Sequence, residues 1–209
     1  MSTRPVRPRG RVEHEEQAAD VLGRYALATG WTPTLPVPIE HVVEAHFGLT
    51  LLWERLPEVP GEIVLGVLSP AERTIRLNER HLDLFEQVVG PEAFTLAHEL
   101  GHWLYDAGDP DQGQLFESDP PPVFCRQVTA VSGSDAARLR EVNANKLAAC
   151  LVLPAHLVRR AVPSRPVGSD ELRDLAKAWG VSQITLRIRL EELGMGGQLR
   201  GIALWHNPT

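Results

Sequence analysis

The stretch FTLAHELGHWLYD places His98, Glu99 and His102 in an H-E-x-x-H pattern. On a helix, at roughly 100° per residue, positions 98 and 102 lie about 40° and one turn apart. Two imidazoles so placed converge on one cation, which zinc would bind at about 2.0–2.1 Å from each nitrogen. Glu99 lies about 100° round from His98, beside such an ion rather than on it. A carboxylate there suits a general base that takes a proton from a polarised water. Ala93, Ala97, Leu100 and Leu104 fall on the opposite side and give the helix a core face.

Two histidines leave a catalytic zinc site one ligand short, because such sites use three protein ligands and an open position. The metzincin arrangement is excluded, since Gly108 stands where its third histidine would be. Asp106, about one turn past His102 on the same face, is the best local candidate for the third ligand. Glu141 is the other candidate. It opens the segment EVNANKLAACLVLP, in which Glu141, Ala144, Asn145, Ala148 and Val152 share a helical face. Small residues on that face would let this helix pack closely on the histidine helix. Glu141 could then reach the ion while Asn145 offers a supporting hydrogen bond. Spacing alone leaves open whether Glu141 is a ligand or an exposed carboxylate favoured by a helix start. Tyr105 and His156 are polar side chains able to support an oxyanion.

These side chains need elements to carry them. Apolar spacing predicts a helix over 13–29 that stops at Gly30, and a second helix led by Pro38 and ended by Gly48. LTLLWE, EIVLGVL and RTIRLN read as strands, with SPAE as a hairpin turn between the last two. Helices follow over 80–88 and 91–106, then a long loop over 107–134 rich in Gly, Pro, Asp and Ser. A helix over 136–152 stops before Pro154. Past the linker VPSRPVGS, short helices are expected over 170–179 and 183–193, and LRGIALWH could form a last strand. The expected fold is α+β: a small, largely antiparallel sheet packed on the histidine helix and the glutamate-bearing helix. Its expected division is a basic tail over 1–15, a main domain over 16–165 and a helix-turn-helix-like extension over 166–209.

The chain has 209 residues and a formal net charge of -6, which gives no global pull toward nucleic acid or anionic membrane. Its two cysteines, Cys125 and Cys150, make no disulfide framework and suit a reducing compartment. The N-terminal arginines are followed by no apolar stretch of the secretory kind, and no run reaches the roughly 20 apolar residues of a membrane helix. A cytoplasmic location is therefore expected. Ala176, Gly180 and Leu186 fall at helix-turn-helix positions, but Arg189 stands where an apolar core residue is usual. Residues 170–193 carry four basic and five acidic side chains, so direct DNA binding is not expected.

HELGHW, followed downstream by E-x-x-A-N-x-x-A-A-x-L-x-x-P, resembles the ImmA/IrrE family of metallopeptidases. PVPIEHVVEAHFGL, RTIRLNE and ITLRIRLEELG extend the resemblance over roughly residues 17–194. It implies a gluzincin-like zinc site with His98, His102 and Glu141 as ligands and Glu99 as the catalytic residue. It also implies an endopeptidase whose substrate is an XRE-type helix-turn-helix repressor, cleaved to derepress stress or mobile-element genes. The segment between His102 and Glu141 is long for the family. Imidazole and carboxylate ligands also accept manganese or iron. Other readings are a zinc hydrolase or toxin-like protease with a different substrate, and a regulator that binds DNA or a partner without cleaving it.

Overall fold

The computed structural model describes residues 7–60, 63–87, 90–107, 123–127 and 134–199, with backbone alone for Gln87, Asp106, Ala107 and 123–127. Helix α1 (Arg11–Thr29) starts where the Glu13 carboxylate accepts the Gly10 N–H at 2.8 Å. Helix thus begins inside the stretch expected as tail, with His14 already buried on its inner face. It ends at Gly30, whose φ of 74° is left-handed and whose N–H returns to the Ala26 carbonyl. Ala18, Val21, Leu22 and Tyr25 are its core stripe. Helix α2 (Ile39–His41) continues as a π-helical turn over Val42–His46 and buries Ile39, Val42 and Val43.

The sheet comprises β1 (Thr50–Glu54), β2 (Ile63–Ser69), β3 (Thr74–Asn78) and β4 (Val123–Gln127), in the order β1-β3-β2-β4. Strands β2 and β3 form the hairpin that the SPAE turn predicts, with Gly66 opposite Leu77 and Ser69 opposite Thr74. The sheet is mixed rather than wholly antiparallel. β1 runs parallel to β3, Thr50 pairing with Thr74 and Glu54 with Asn78. Residues 55–60 follow β1, and the chain enters β2 at Ile63. β2 runs antiparallel to β3, so β1 and β2, on either side of β3, run opposite to one another. β4 lies within the stretch expected as loop. Its VFCRQ sequence supplies branched and aromatic residues among turn formers, and it pairs antiparallel to β2 with a bulge between Val64 and Gly66.

Helix α3 (Leu82–Gln87) follows a 3-10 turn over Glu79–His81. Helix α4 (Pro91–His102) has Pro at its first turn and runs on as a π-helical turn over Trp103–Ala107. Helix α5 (Asp135–Val152) is capped by the Ser134 hydroxyl, which accepts from Ala137 N. Pro154 ends α5 and leads directly into α6 (Ala155–Ala161), a helix the sequence reading leaves out. Helices α7 (Ser169–Ala178) and α8 (Gln183–Glu192) follow, then a 3-10 turn over Gly196–Gln198, and the strand expected at LRGIALWH lies outside the described residues save for Leu199.

One buried cluster unites the elements. Leu96, Ala97, Leu100 and Trp103 of the α4 segment share this cluster with Leu147, Leu151 and the α7–α8 residues Leu172, Ala176, Leu186 and Leu190. The C-terminal helix pair also abuts the start of α4: a Cβ at Gly90 would stand 2.6 Å from Val181 Cα. Arg189 is 1% exposed. Its Nη2 meets Glu15 of α1 at 2.8 Å and its Nε donates to the Leu153 carbonyl at 2.9 Å. A charge can sit there because Nη2 and Nε are partnered and the Glu192 carboxylate lies 3.6 Å from Nη1.

Candidate metal centre

The histidine helix is buried all round its last two turns. Thr95 through His102 are all inaccessible, so the site is built inside the core and not on a surface stripe. Two close approaches allow this. Against β2, a Cβ at Gly66 would stand 2.8 Å from Thr95 Cγ2 and 3.4 Å from Glu99 Oε1, so only glycine lets the strand lie there. Against α5, a Cβ at Gly101 would stand 3.1 Å from Ala144 Cα. Between these contacts, α4 presents its two imidazoles to α5 and seats the Glu99 carboxylate beside the strand, with no solvent exposure.

Glu141 and Asn145, one turn apart on α5, face the two histidines. His98 Nε2 and His102 Nε2 are 3.0 Å apart. Glu141 Oε2 lies 3.3 Å from His98 Nε2, and its Oε1 lies 3.3 Å from His102 Nε2. The three side chains together offer one ligand atom each within 4.8 Å of one another. A tetrahedral cation with ligand atoms at about 2.0–2.1 Å sets those atoms about 3.3–3.4 Å apart, so the spacing fits a small divalent ion. Lone pairs brought this close repel unless a proton or a cation lies between them. Asn145 Oδ1 lies 3.0 Å from His98 Nδ1, which places the proton on Nδ1 and leaves Nε2 as the ligand atom.

The protonation states agree with that role. Burial pulls His98 below its ordinary value of 6.5 and favours the neutral ring. Burial pushes the Glu141 carboxyl up, but the adjoining His102 and His98 rings outweigh this and bring it down to about 2. Neutral imidazole and ionised carboxylate are the forms a cation takes.

Residues 46–191 match the model of peptidase family M78, the IrrE N-terminal-like domain. The chain belongs to this family. The matched region contains the H-E-x-x-H helix and Glu141, so the IrrE-like domain and the His98–His102–Glu141 triad coincide. The family is one of metallopeptidases, and the ImmA/IrrE resemblance of the sequence is thereby shown. A Mycobacterium tuberculosis transcriptional regulator of solved structure is similar at a TM-score of 0.46 and 20% identity, over 87% of this chain and 46% of that one. The IrrE-like chain thus spans about half the length of that regulator. No curated protein sequence matches it. Among the described residues, no helix is long and apolar enough to cross a membrane.

Other residues singled out by the sequence stand apart from the triad or beyond the described region. The Tyr105 hydroxyl pairs with His14 Nδ1 at 2.9 Å, and burial pushes it up to about 12. His156 is exposed on α6. The side chain of Asp106, the rival third ligand, lies outside the described residues, as do Gly108 and Asp109. Cys150 is buried, and its thiol is pushed up to about 12 by burial, as a small core residue would be. Cys125 falls in β4 rather than in a loop. The sequence reading missed the Gly66–Thr95 contact beside Glu99. The signal for it was a lone glycine inside EIVLGVL, which marks a bulge or a close approach.

Proposed function

We propose that the protein is a zinc-dependent endopeptidase in which His98, His102 and Glu141 hold the metal and Glu99 is the general acid–base. The observation that carries this reading is the convergence of two imidazole nitrogens and one carboxylate at 3.0–3.3 Å, one residue along the helix from a buried glutamate. Zinc held there would supply a Lewis acid that acidifies water and polarises the scissile carbonyl. Glu99 takes the proton from the attacking water and returns it to the leaving nitrogen. The wall of β2 at Gly66 keeps its carboxylate beside the ligands. Asn145 holds the His98 ring in one tautomer and one orientation. Manganese or iron would suit the same donors.

The family supports a repressor of the XRE helix-turn-helix type as substrate, cleaved to release stress or mobile-element genes, in the cytoplasm. DNA binding by α7 and α8 is disfavoured: their turn is packed on the start of α4, and Arg189 is turned inward to Glu15. The test is to incubate the zinc-loaded protein with the repressor encoded beside its gene. The repressor band should disappear. A chelator or Glu99→Gln should abolish the loss, with Glu99→Gln still retaining stoichiometric zinc and losing about 10²–10⁴-fold in rate. Unchanged cleavage by Glu99→Gln would exclude this mechanism. An intact repressor with active zinc-loaded protein would exclude that substrate.

A further inference from the structure

We propose that Gly101 is a positioning residue that sets the spacing of the two ligand-bearing helices, and through it the affinity of the site for its metal. The proposal rests on the reading of His98, His102 and Glu141 as ligands.

Gly101 sits inside the last turn of α4. Its φ is not positive, so no left-handed turn calls for glycine. Glycine is also the poorest helix former after proline, so local propensity argues against it. What it provides is space. A Cβ built on Gly101 would lie 3.1 Å from Ala144 Cα, 3.2 Å from the Ala144 carbonyl oxygen and 3.3 Å from Ala144 Cβ. Two of these three atoms are backbone of α5 and cannot rotate aside as the tip of a long side chain would.

The place of this contact is what gives it a role. On α4, Gly101 is three residues after His98 and one before His102. On α5, Ala144 is three residues after Glu141 and one before Asn145. This tight contact between the helices therefore falls in the middle of the ligand set. His102 and Glu141 meet on one side of it, and His98 and Asn145 on the other. Widening the gap leaves the His98–His102 spacing alone, since both ride on α4. It acts on the separations between each histidine and its partner on α5. A side chain at 101 must push the helices apart by a few tenths of an ångström, whereas metal–ligand distances are held to within about 0.2 Å.

The test is the zinc affinity of the metal-free chain, read by competition with a chromophoric chelator. Gly101→Ala should weaken zinc about tenfold and Gly101→Val about a hundredfold, the range seen when ligand support is lost. Removing the facing methyl group, as Gly101→Ala with Ala144→Gly, should recover part of the loss. Arg189→Met, which disturbs the core away from the ligands, should lower the melting temperature and leave zinc affinity unchanged. If valine does not fold, the alanine variant decides, since all its new contacts exceed 3.0 Å. Gly101 variants that bind zinc within about twofold of the native chain, or that weaken only as Arg189→Met does, would overturn the proposal. If zinc binding by the native chain is absent, or survives His98→Ala and Glu141→Ala, the ligand assignment itself fails, and this failure is distinguishable from the first.

Discussion

Asn145→Ala isolates the hydrogen bond behind one ligand from the ligand itself. In the native site Asn145 Oδ1 lies 3.0 Å from His98 Nδ1. Alanine removes the acceptor, so the ring no longer has a preferred tautomer and its Nε2 is free to carry the proton. A neutral hydrogen bond contributes about 0.5–1.5 kcal/mol net. One that grows charged as the imidazole binds a cation contributes roughly twice that. Asn145 is exposed, so water can replace part of the lost bond. That places the expected cost near 1.4 kcal/mol, or about tenfold in zinc affinity, at the lower end of the range for such supporting residues. The same change should shift the stability of the metal-free fold by less than about 1 kcal/mol, because alanine's better helix propensity offsets much of the lost neutral hydrogen bond. Asn145→Asp keeps the acceptor and should bind zinc at least as tightly as the native chain. The assay is chelator competition for affinity and urea denaturation of the metal-free chain for stability. If the alanine variant binds zinc as tightly as the native chain, or if alanine and aspartate weaken it equally, the bond does not orient His98 and the reasoning is wrong.

Two further outcomes follow from the buried charges. Arg189→Met strands the Glu15 carboxylate and the Leu153 carbonyl, and should cost about 3 kcal/mol, the lower end for breaking a buried pair because Glu15 is partly exposed. That corresponds to a drop of about 7 °C in melting temperature for a chain of this size, and pairing it with Glu15→Leu should restore much of the loss. A thermal melt that barely moves in the single variant, or that falls further in the double, would contradict the pairing. For pH, His98 has a folded value below its ordinary 6.5, so below 6.5 the unfolded chain binds more protons than the folded one. Metal-free stability should thus be full above that value and fall as the pH drops through it. Glu141 adds a second loss as the pH falls from its ordinary 4.5 toward about 2. Urea midpoints that stay level or rise from pH 7 to pH 5 would show that the imidazole is not held neutral.

The parts of the fold and site that could be read from the sequence are those set within one helix. The pairing of His98 with His102 needs only a helical repeat, and the α1 stripe, the α4 core face and the hairpin turn at SPAE are equally local. Glu141 stood between a ligand and an ordinary helix-start carboxylate because its reach depends on how α5 meets α4, which no spacing encodes. The small face of α5 pointed in the right direction, and Asn145 on that face does meet His98. Strand β4 was hidden because a five-residue run with only Val123 and Phe124 as strong strand formers lies among turn formers, and pairing with β2 overrides that composition. The parallel placement of β1 likewise depends on which edge of the hairpin it joins. Arg189 looked like a fault in a helix-turn-helix core because its counter-charge, Glu15, lies at the other end of the chain. Gly101 is the sharpest case. In the linear pattern it is one of two unspecified positions between motif residues, and its neighbours explain nothing about it. Its meaning lies in the backbone of another helix, at a point where a missing methyl group lets His98 and His102 come within 3.0–3.3 Å of Glu141 and Asn145 across the gap.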